Sequence, residues 1–284
     1  MPRLLTHRSF QIAILLLSLL VLLGIIFIVV IPLSPAPIPV PTVVPGPVEV
    51  VTIGDSQTAG YGDERVQIPV AGGYPAMLIL PVIQLRPGSR VDNLGQGGWT
   101  SSDIVQGVKG IPSPLQPALA LKPQIICVWV GLNDLLYFNA EDQEQSTLTA
   151  FTQNVDMILK TLVGHQATVI IALLDDPSMR PGVRDGSYIK VFDWVKRSTD
   201  IKSDFARLTR RTLAFNQVIR QKASQYGVAL VDFSNEPLFA NPATMSNDGL
   251  HPSSKGYKII SRLWLEALLP YLGGSPDILT PTPY

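Results

Sequence analysis

The stretch VEVVTIGDSQTAG, residues 48–60, decides the fold. Its first six positions are almost wholly apolar and β-branched, the composition of a strand buried on both faces. Glycine, aspartate and serine follow at once. The strand therefore ends in a tight turn, and Ser56 stands where a helix would begin. Serine in that place commonly serves as an N-cap. Its hydroxyl also lies beside backbone N–H groups that point the same way, an arrangement that suits a nucleophile next to an anion-stabilising pocket.

The same unit recurs along the chain. SRVDNL (89–94), QIICVWV (124–130), ATVIIALL (167–174) and VALVDF (228–233) are further strands by composition. Between the first two, GGYPAMLILPVIQL predicts a helix interrupted at Pro81, and SSDIVQGV and PLQPALALK read as short helices or turns. The spacing of Leu148, Phe151, Val155, Ile158, Leu159 and Leu162 predicts a helix over 141–163. Two more are expected over 201–226 and 254–272. The alternation predicts an α/β fold, a parallel sheet of five strands between two helical layers.

Ligands of such sheets bind outside the carboxyl ends of the strands. GDSQTAG follows the first strand, GQGGWTS (95–101) the second and GLND (131–134) the third. NDGLH (247–251) follows the fifth, past a loop. Each has a structural reading of its own. Gly97 and Gly98 make a turn before a helix capped by Thr100, Asn133 makes an Asx-turn, and Asp248 and His251 lie in a turn before a helix capped by Ser253 or Ser254. Each also has a chemical reading. Gly98 and Asn133 supply N–H donors, and Asp248 holds the ring of His251, which acts as a base. Convergence of all four on one edge favours the chemical set: a serine nucleophile and a histidine base in chain order Ser, Asp, His.

These residues resemble the SGNH hydrolases, the GDSL-type esterases and lipases. GDSQTAGYG is similar to the family's first block, with its nucleophile at Ser56. NLGQGGWT resembles the second, which puts the oxyanion glycine at Gly98. GLND resembles the Gly-x-Asn-Asp block, with the oxyanion asparagine at Asn133, and DGLHP resembles the Asp-x-x-His block, giving Asp248 and His251. The blocks run in family order from residue 54 to 251. The resemblance implies a flavodoxin-like three-layer sandwich and ester hydrolysis without cofactor or metal. It implies an oxyanion hole made of Ser56, Gly98 and Asn133. It also implies that the aspartate matters less than the histidine, because a backbone carbonyl can orient the ring.

The remaining chemistry-bearing residues compete poorly. His7 precedes the N-terminal apolar run, and His165 falls at the amino end of the fourth strand, on the opposite edge. No two histidines share a helix face or a short loop, so no metal site is expected. Asp175 and Asp176 end the fourth strand and are explained by turn chemistry. GDSQTAG lacks the Gly-Lys-Ser/Thr ending of a P-loop. The single cysteine, Cys127, excludes an internal disulfide framework. Twenty-two basic residues balance 22 acidic ones, which argues against a nucleic-acid partner.

Mean hydropathy is +0.26, and residues 10–33 account for much of it. That run carries no charge. About 20 residues suffice to span a bilayer. Arg3 and Arg8 precede the run, and the next charge is Glu49, so the positive-inside bias leaves residues 1–9 in the cytoplasm and the domain outside. A cleaved signal peptide would have a shorter core, about 7–15 residues, ending in a small-x-small site. This run is longer and continues into proline. We therefore read 10–31 as a transmembrane anchor in the cell membrane, 32–48 as a proline-rich linker, 49–273 as the hydrolase domain and 274–284 as a flexible tail.

Residues 177–200 form a long connection in which Tyr188, Phe192 and Trp194 make a substrate wall or a packed hairpin. Trp99 is a further candidate for the pocket wall. The substrate is a small-molecule, glycan or lipid ester. The readings left open are a carbohydrate deacetylase, a lipase or lysophospholipase, an acyltransferase, and a surface binding module without catalysis.

Overall fold

Alternating apolar strands and amphipathic helices assemble in the computed structural model as their patterns require. The structure describes residues 41–68, 71–137, 143–187 and 205–274, all within one compact unit, Ile38–Tyr284. The strands are β1 (Glu49–Gly54), β2 (Arg90–Asn93), β3 (Ile125–Trp129), β4 (Thr168–Ala172) and β5 (Ala229–Val231). All neighbours pair in parallel, in the order β2-β1-β3-β4-β5. This is the flavodoxin-like order. β1 and β3 lie inside the sheet and are buried along their whole length, as their unbroken apolar composition demands.

The helices are α1 (Ser56–Ala59), α2 (Gly73–Leu85), α3 (Ser101–Gln106), α4 (Leu115–Ala120), α5 (Leu132–Tyr137), α6 (Glu144–Val163), α7 (Pro181–Asp185), α8 (Phe205–Tyr226) and α9 (Ser254–Leu272). The β1–β2 connection steps one way along the sheet, and the later ones step the other way. Right-handed crossovers therefore put α2 on one face and α6 and α8 on the other. α9 packs on α2, while α6 packs on α8 and α3. Stacked rings mark the two layers: Tyr74 on Trp264 at 5.3 Å, and Phe151 on Phe215 at 4.1 Å.

Three features depart from the sequence reading or add to it. The helix at Pro81 is not interrupted: α2 runs on to Leu85, and Arg86 N still donates to Val82 O at 2.8 Å. Proline gives up its own N–H bond, but Leu78 and Val82, both fully buried, hold the helix by packing. The long connection after β4 opens with a 3-10 turn, Pro177–Met179, and α7 follows. The domain also begins before residue 49. Val44 N donates to Tyr271 O, and Val48 N to the Ser89 hydroxyl.

No helix among the described residues is long and apolar enough to cross a membrane. The anchor expected over 10–31 lies outside them, as do residues 32–40 of the linker and 275–284 of the tail. Cys127 is fully buried at the centre of β3, and burial pushes its thiol well above the usual range.

Candidate active site

In the strand order β2-β1-β3 the chain leaves β1 in opposite directions, and the turns after these three strands open onto one crevice. β1 ends at Gly54, where a Cβ would stand 2.2 Å from Trp129 O and 2.3 Å from Thr58 Oγ1. Only glycine fits there. Asp55 then caps α1, its carboxylate accepting from Gln57 N at 2.9 Å, and Ser56 is the first helical residue. Asp55 is buried, which pushes its carboxyl up to about 7. The Gln57 N–H and the charge of Arg180 pull against that shift.

His251 reaches this serine from the far end of the sheet. Its Nε2 lies 2.9 Å from Ser56 Oγ, and its Nδ1 lies 2.6 Å from Asp248 Oδ2. Nδ1 of the ring is therefore oriented by the Asp248 carboxylate. With the Nδ1 proton facing Asp248, Nε2 is left to accept from the serine hydroxyl. Asp248 Oδ1 accepts from Ser246 Oγ at 2.7 Å, Leu250 N at 2.8 Å and His251 N at 2.9 Å. Burial pushes the Asp248 carboxyl up, but these bonds and the imidazole outweigh it and hold the group well below the ordinary range.

The two other turns are locked to each other. Gly98 has φ +79°, a left-handed conformation that favours glycine, and Thr100 caps α3 in a box with Asp103. Asn133 lies in the first turn of α5 and donates through Nδ2 to Trp99 O at 2.8 Å. Its neighbour Asp134 accepts from Ser101 N at 2.8 Å and Ser101 Oγ at 2.6 Å. Burial pushes Asp134 up to about 6, against those two bonds. The backbone beside Gly98 and the Asn133 amide are thus held in fixed relation. Trp99 corrects one expectation. Its indole belongs to the hydrophobic core, 5 % exposed, and what it offers the neighbouring turn is its carbonyl. Tyr188, Phe192 and Trp194 lie outside the described residues.

Two residues escaped the sequence reading. Arg180, fully buried, donates to both oxygens of Asp175 at 2.8 and 2.7 Å, to Gln57 Oε1 at 2.7 Å and to Leu250 O, and its guanidinium lies over the Phe239 ring. It therefore joins the residue after Ser56 to the residue before His251. Its only local sign was an aspartate pair five and four residues upstream. Tyr61 is the second. Its ring centroid lies 5.6 Å from that of His251, and a Cβ on Gly97 would come within 2.6 Å of its hydroxyl. The side chain spans from the Gly97–Gly98 turn to the histidine. No cluster of three or more metal-ligating side chains occurs among the described residues.

A serine, histidine and aspartate in hydrogen-bonded sequence, at the carboxyl edge of a flavodoxin-like sheet, define a serine ester hydrolase. The chain belongs to the GDSL-like lipase/acylhydrolase family, whose model matches residues 52–259. Among solved structures it is similar to LAE5, an α/β hydrolase enzyme from the metagenome of Lake Arreo, Spain. The two are 20% identical with a TM-score of 0.55, and the match covers 81% of this chain and 97% of that one. An acetylxylan esterase from Geobacillus stearothermophilus is 18% identical, with a TM-score of 0.56 and coverage of 81% and 96%. A lipase from a goat rumen metagenome is 17% identical, with a TM-score of 0.56 and coverage of 78% and 97%. At these identities the likeness is one of fold. No curated protein matches the chain.

Proposed function

We propose that the protein hydrolyses carboxylic esters through an acyl-enzyme on Ser56, that its substrates are acetylated carbohydrates, and that it works outside the cytoplasm on a membrane anchor. The observation that carries the catalytic part is the relay from Asp248 through His251 to Ser56, with separations of 2.6 and 2.9 Å. His251 takes the serine proton as the oxygen attacks the acyl carbon. The N–H groups of Ser56 and Gly98 hold the oxyanion together with the Asn133 amide. One Nδ2 hydrogen of Asn133 is committed to Trp99 O, and the other is left for the substrate. Each such donor contributes about 3 kcal/mol to transition-state stabilisation. His251 then returns the proton to the leaving alcohol, and water releases the acyl group.

Support for the carbohydrate comes from the acetylxylan esterases of like fold and from the proline-rich linker, which would lift the domain away from lipid. Support for the placement is the uncharged run over 10–33 behind Arg3 and Arg8. A panel of 4-nitrophenyl esters from acetyl to palmitoyl tests the reading. Acetyl preference, abolished in Ser56→Ala, is expected. Preference for long chains would replace the deacetylase with a lipase, and wild-type turnover by the Ser56→Ala protein would overturn the nucleophile.

A further inference from the structure

The segment that follows α1 touches the nucleophile at one end and the base at the other. Gly60 N and Tyr61 N both donate to the carbonyl of Ser56, at 3.0 and 2.9 Å. The Tyr61 carbonyl accepts at 2.7 Å from the hydroxyl of Tyr257, a fully buried residue of α9. Gly62 has φ +85°, and a Cβ there would stand 2.8 Å from His251 Cβ and 2.6 Å from Pro252 O. Asp63 accepts at 2.8 Å from Gly73 N, at the start of α2. Glu64 accepts from Ser254 N at 2.8 Å and from Ser254 Oγ at 2.6 Å.

We propose that residues 60–64 form a strap that sets the position of His251 against Ser56, with Gly62 as its point of contact and Glu64 as its latch. Both are positioning residues: they act on the reaction through His251 alone. The proposal rests on the reading of Ser56 as nucleophile and His251 as base. Proton transfer between them needs a heavy-atom separation of about 2.6–3.2 Å. The strap joins the carbonyl of the serine itself to the backbone beside the ring. Arg180 ties the neighbours of the pair, Gln57 and Leu250, whereas the strap bears on the pair directly. A backbone this close to His251 Cβ leaves the loop no room to move toward it. The loop is held elsewhere too. Gly182 N donates to Gly249 O at 2.9 Å, and a Cβ on Gly182 would stand 2.2 Å from Asp248 O.

The latch is a contact that stability alone does not require. Ser254 opens α9, and an N–H in the first turn has no partner within its own helix. The positive end of a 19-residue helix attracts an anion, and Glu64 is the carboxylate that the strap brings to it. Burial pushes the Glu64 carboxyl up, but the Ser254 hydroxyl and N–H outweigh that and hold it below the ordinary range. The contact is solvent-exposed, so water would serve Ser254 as well. A charged contact of this kind contributes little to global stability. Its effect lies in register. Ser254 follows His251 in the next turn of chain, so the latch fixes the strap to the same loop on which Gly62 presses.

The test is steady-state hydrolysis of 4-nitrophenyl acetate by the full chain and by its Glu64→Ala, Glu64→Gln and Gly62→Ala variants, with Tm measured for each. Glu64→Ala is expected to lower kcat about three- to tenfold, with KM unchanged and Tm close to the wild type. Glu64→Gln keeps an acceptor for Ser254 and is expected to recover part of that loss. Gly62→Ala drives a methyl group into His251 and is expected to lower kcat about a hundredfold, the scale of a misplaced reacting pair. Wild-type kcat in Glu64→Ala overturns the proposal whether or not Gly62→Ala folds, and leaves the serine reading intact. A loss that appears in KM assigns the strap to substrate binding, and one that vanishes well below Tm assigns it to folding. Either result overturns the proposal. No hydrolysis by the wild type overturns the esterase reading, and the strap with it.

Discussion

Arg180 donates to the side-chain carbonyl of Gln57 at 2.7 Å, and the same guanidinium donates to the backbone carbonyl of Leu250. One buried group thus sets the distance between the segment that carries Ser56 and the segment that carries His251. Lysine keeps the charge but lacks the planar fork. Arg180→Lys is expected to lower kcat on 4-nitrophenyl acetate by about ten- to hundredfold with little change in KM, the penalty of a misplaced reacting pair. Gln57→Met cuts one arm and is expected to fall between this variant and the wild type. Wild-type kcat in Arg180→Lys would show that the fork does not set the geometry.

Asp248 and His251 are expected to differ in degree. In Asp248→Asn the amide oxygen still accepts from Leu250 N and His251 N, so the NH₂ group is left facing Nδ1. The ring proton then moves to Nε2, where it cannot receive one from serine. A loss of about 10⁴ in kcat is expected, the size seen when a triad tautomer is wrong. His251→Ala is expected to lose more, up to about 10⁶. A smaller loss for the histidine change than for the aspartate change would refute this order.

Asn133→Ala removes one oxyanion donor and the tie to Trp99 O. The expected cost is about 10²–10³ in kcat. Thermal unfolding of the same variant checks that the fold persists. Retention of more than a tenth of wild-type kcat would take Asn133 out of the oxyanion hole.

Stability should decline as pH rises through the weakly acidic range. Asp55 and Asp134 titrate in the folded state at about 7 and about 6. Both values lie above the unfolded value of about 3.9. Between these limits the folded state binds more protons than the unfolded one, so stability falls with rising pH. Asp248 has the opposite sign: its contribution is present above the unfolded value and is lost only as pH falls through its depressed folded one. Tm measured from pH 5 to 8 therefore reports the first pair. Asp55→Asn keeps an oxygen for Gln57 N and is expected to flatten the decline. An identical slope in the variant would exclude Asp55 as its source.

What the sequence disclosed depended on how local the cause was. β1 and β3 were legible because strands buried on both faces need unbroken apolar runs. The gathering of Ser56, Gly98, Asn133 and His251 at one edge of the sheet was legible because each sits in a turn with its own residue chemistry. Arg180 was not, because its meaning lies in Gln57, 123 positions away, and in Leu250, 70 away. Tyr61 carried no local sign, because only the fold brings Gly97 and His251 up to it. Trp99 was misread because an aromatic beside an oxyanion glycine has two faces to choose between, and here the core side claims it. At Pro81 the local rule for proline was outweighed by tertiary packing.

The burial of Cys127 in β3 has a practical side. The chain's only thiol is sealed inside the sheet and kept protonated, so maleimides and related reagents have nothing to attack on the folded surface. A cysteine introduced at the exposed Asn247 would become a single addressable handle. A fluorophore there would report on the turn that carries Asp248 and His251 in the unmodified background, with no need to remove a native residue first.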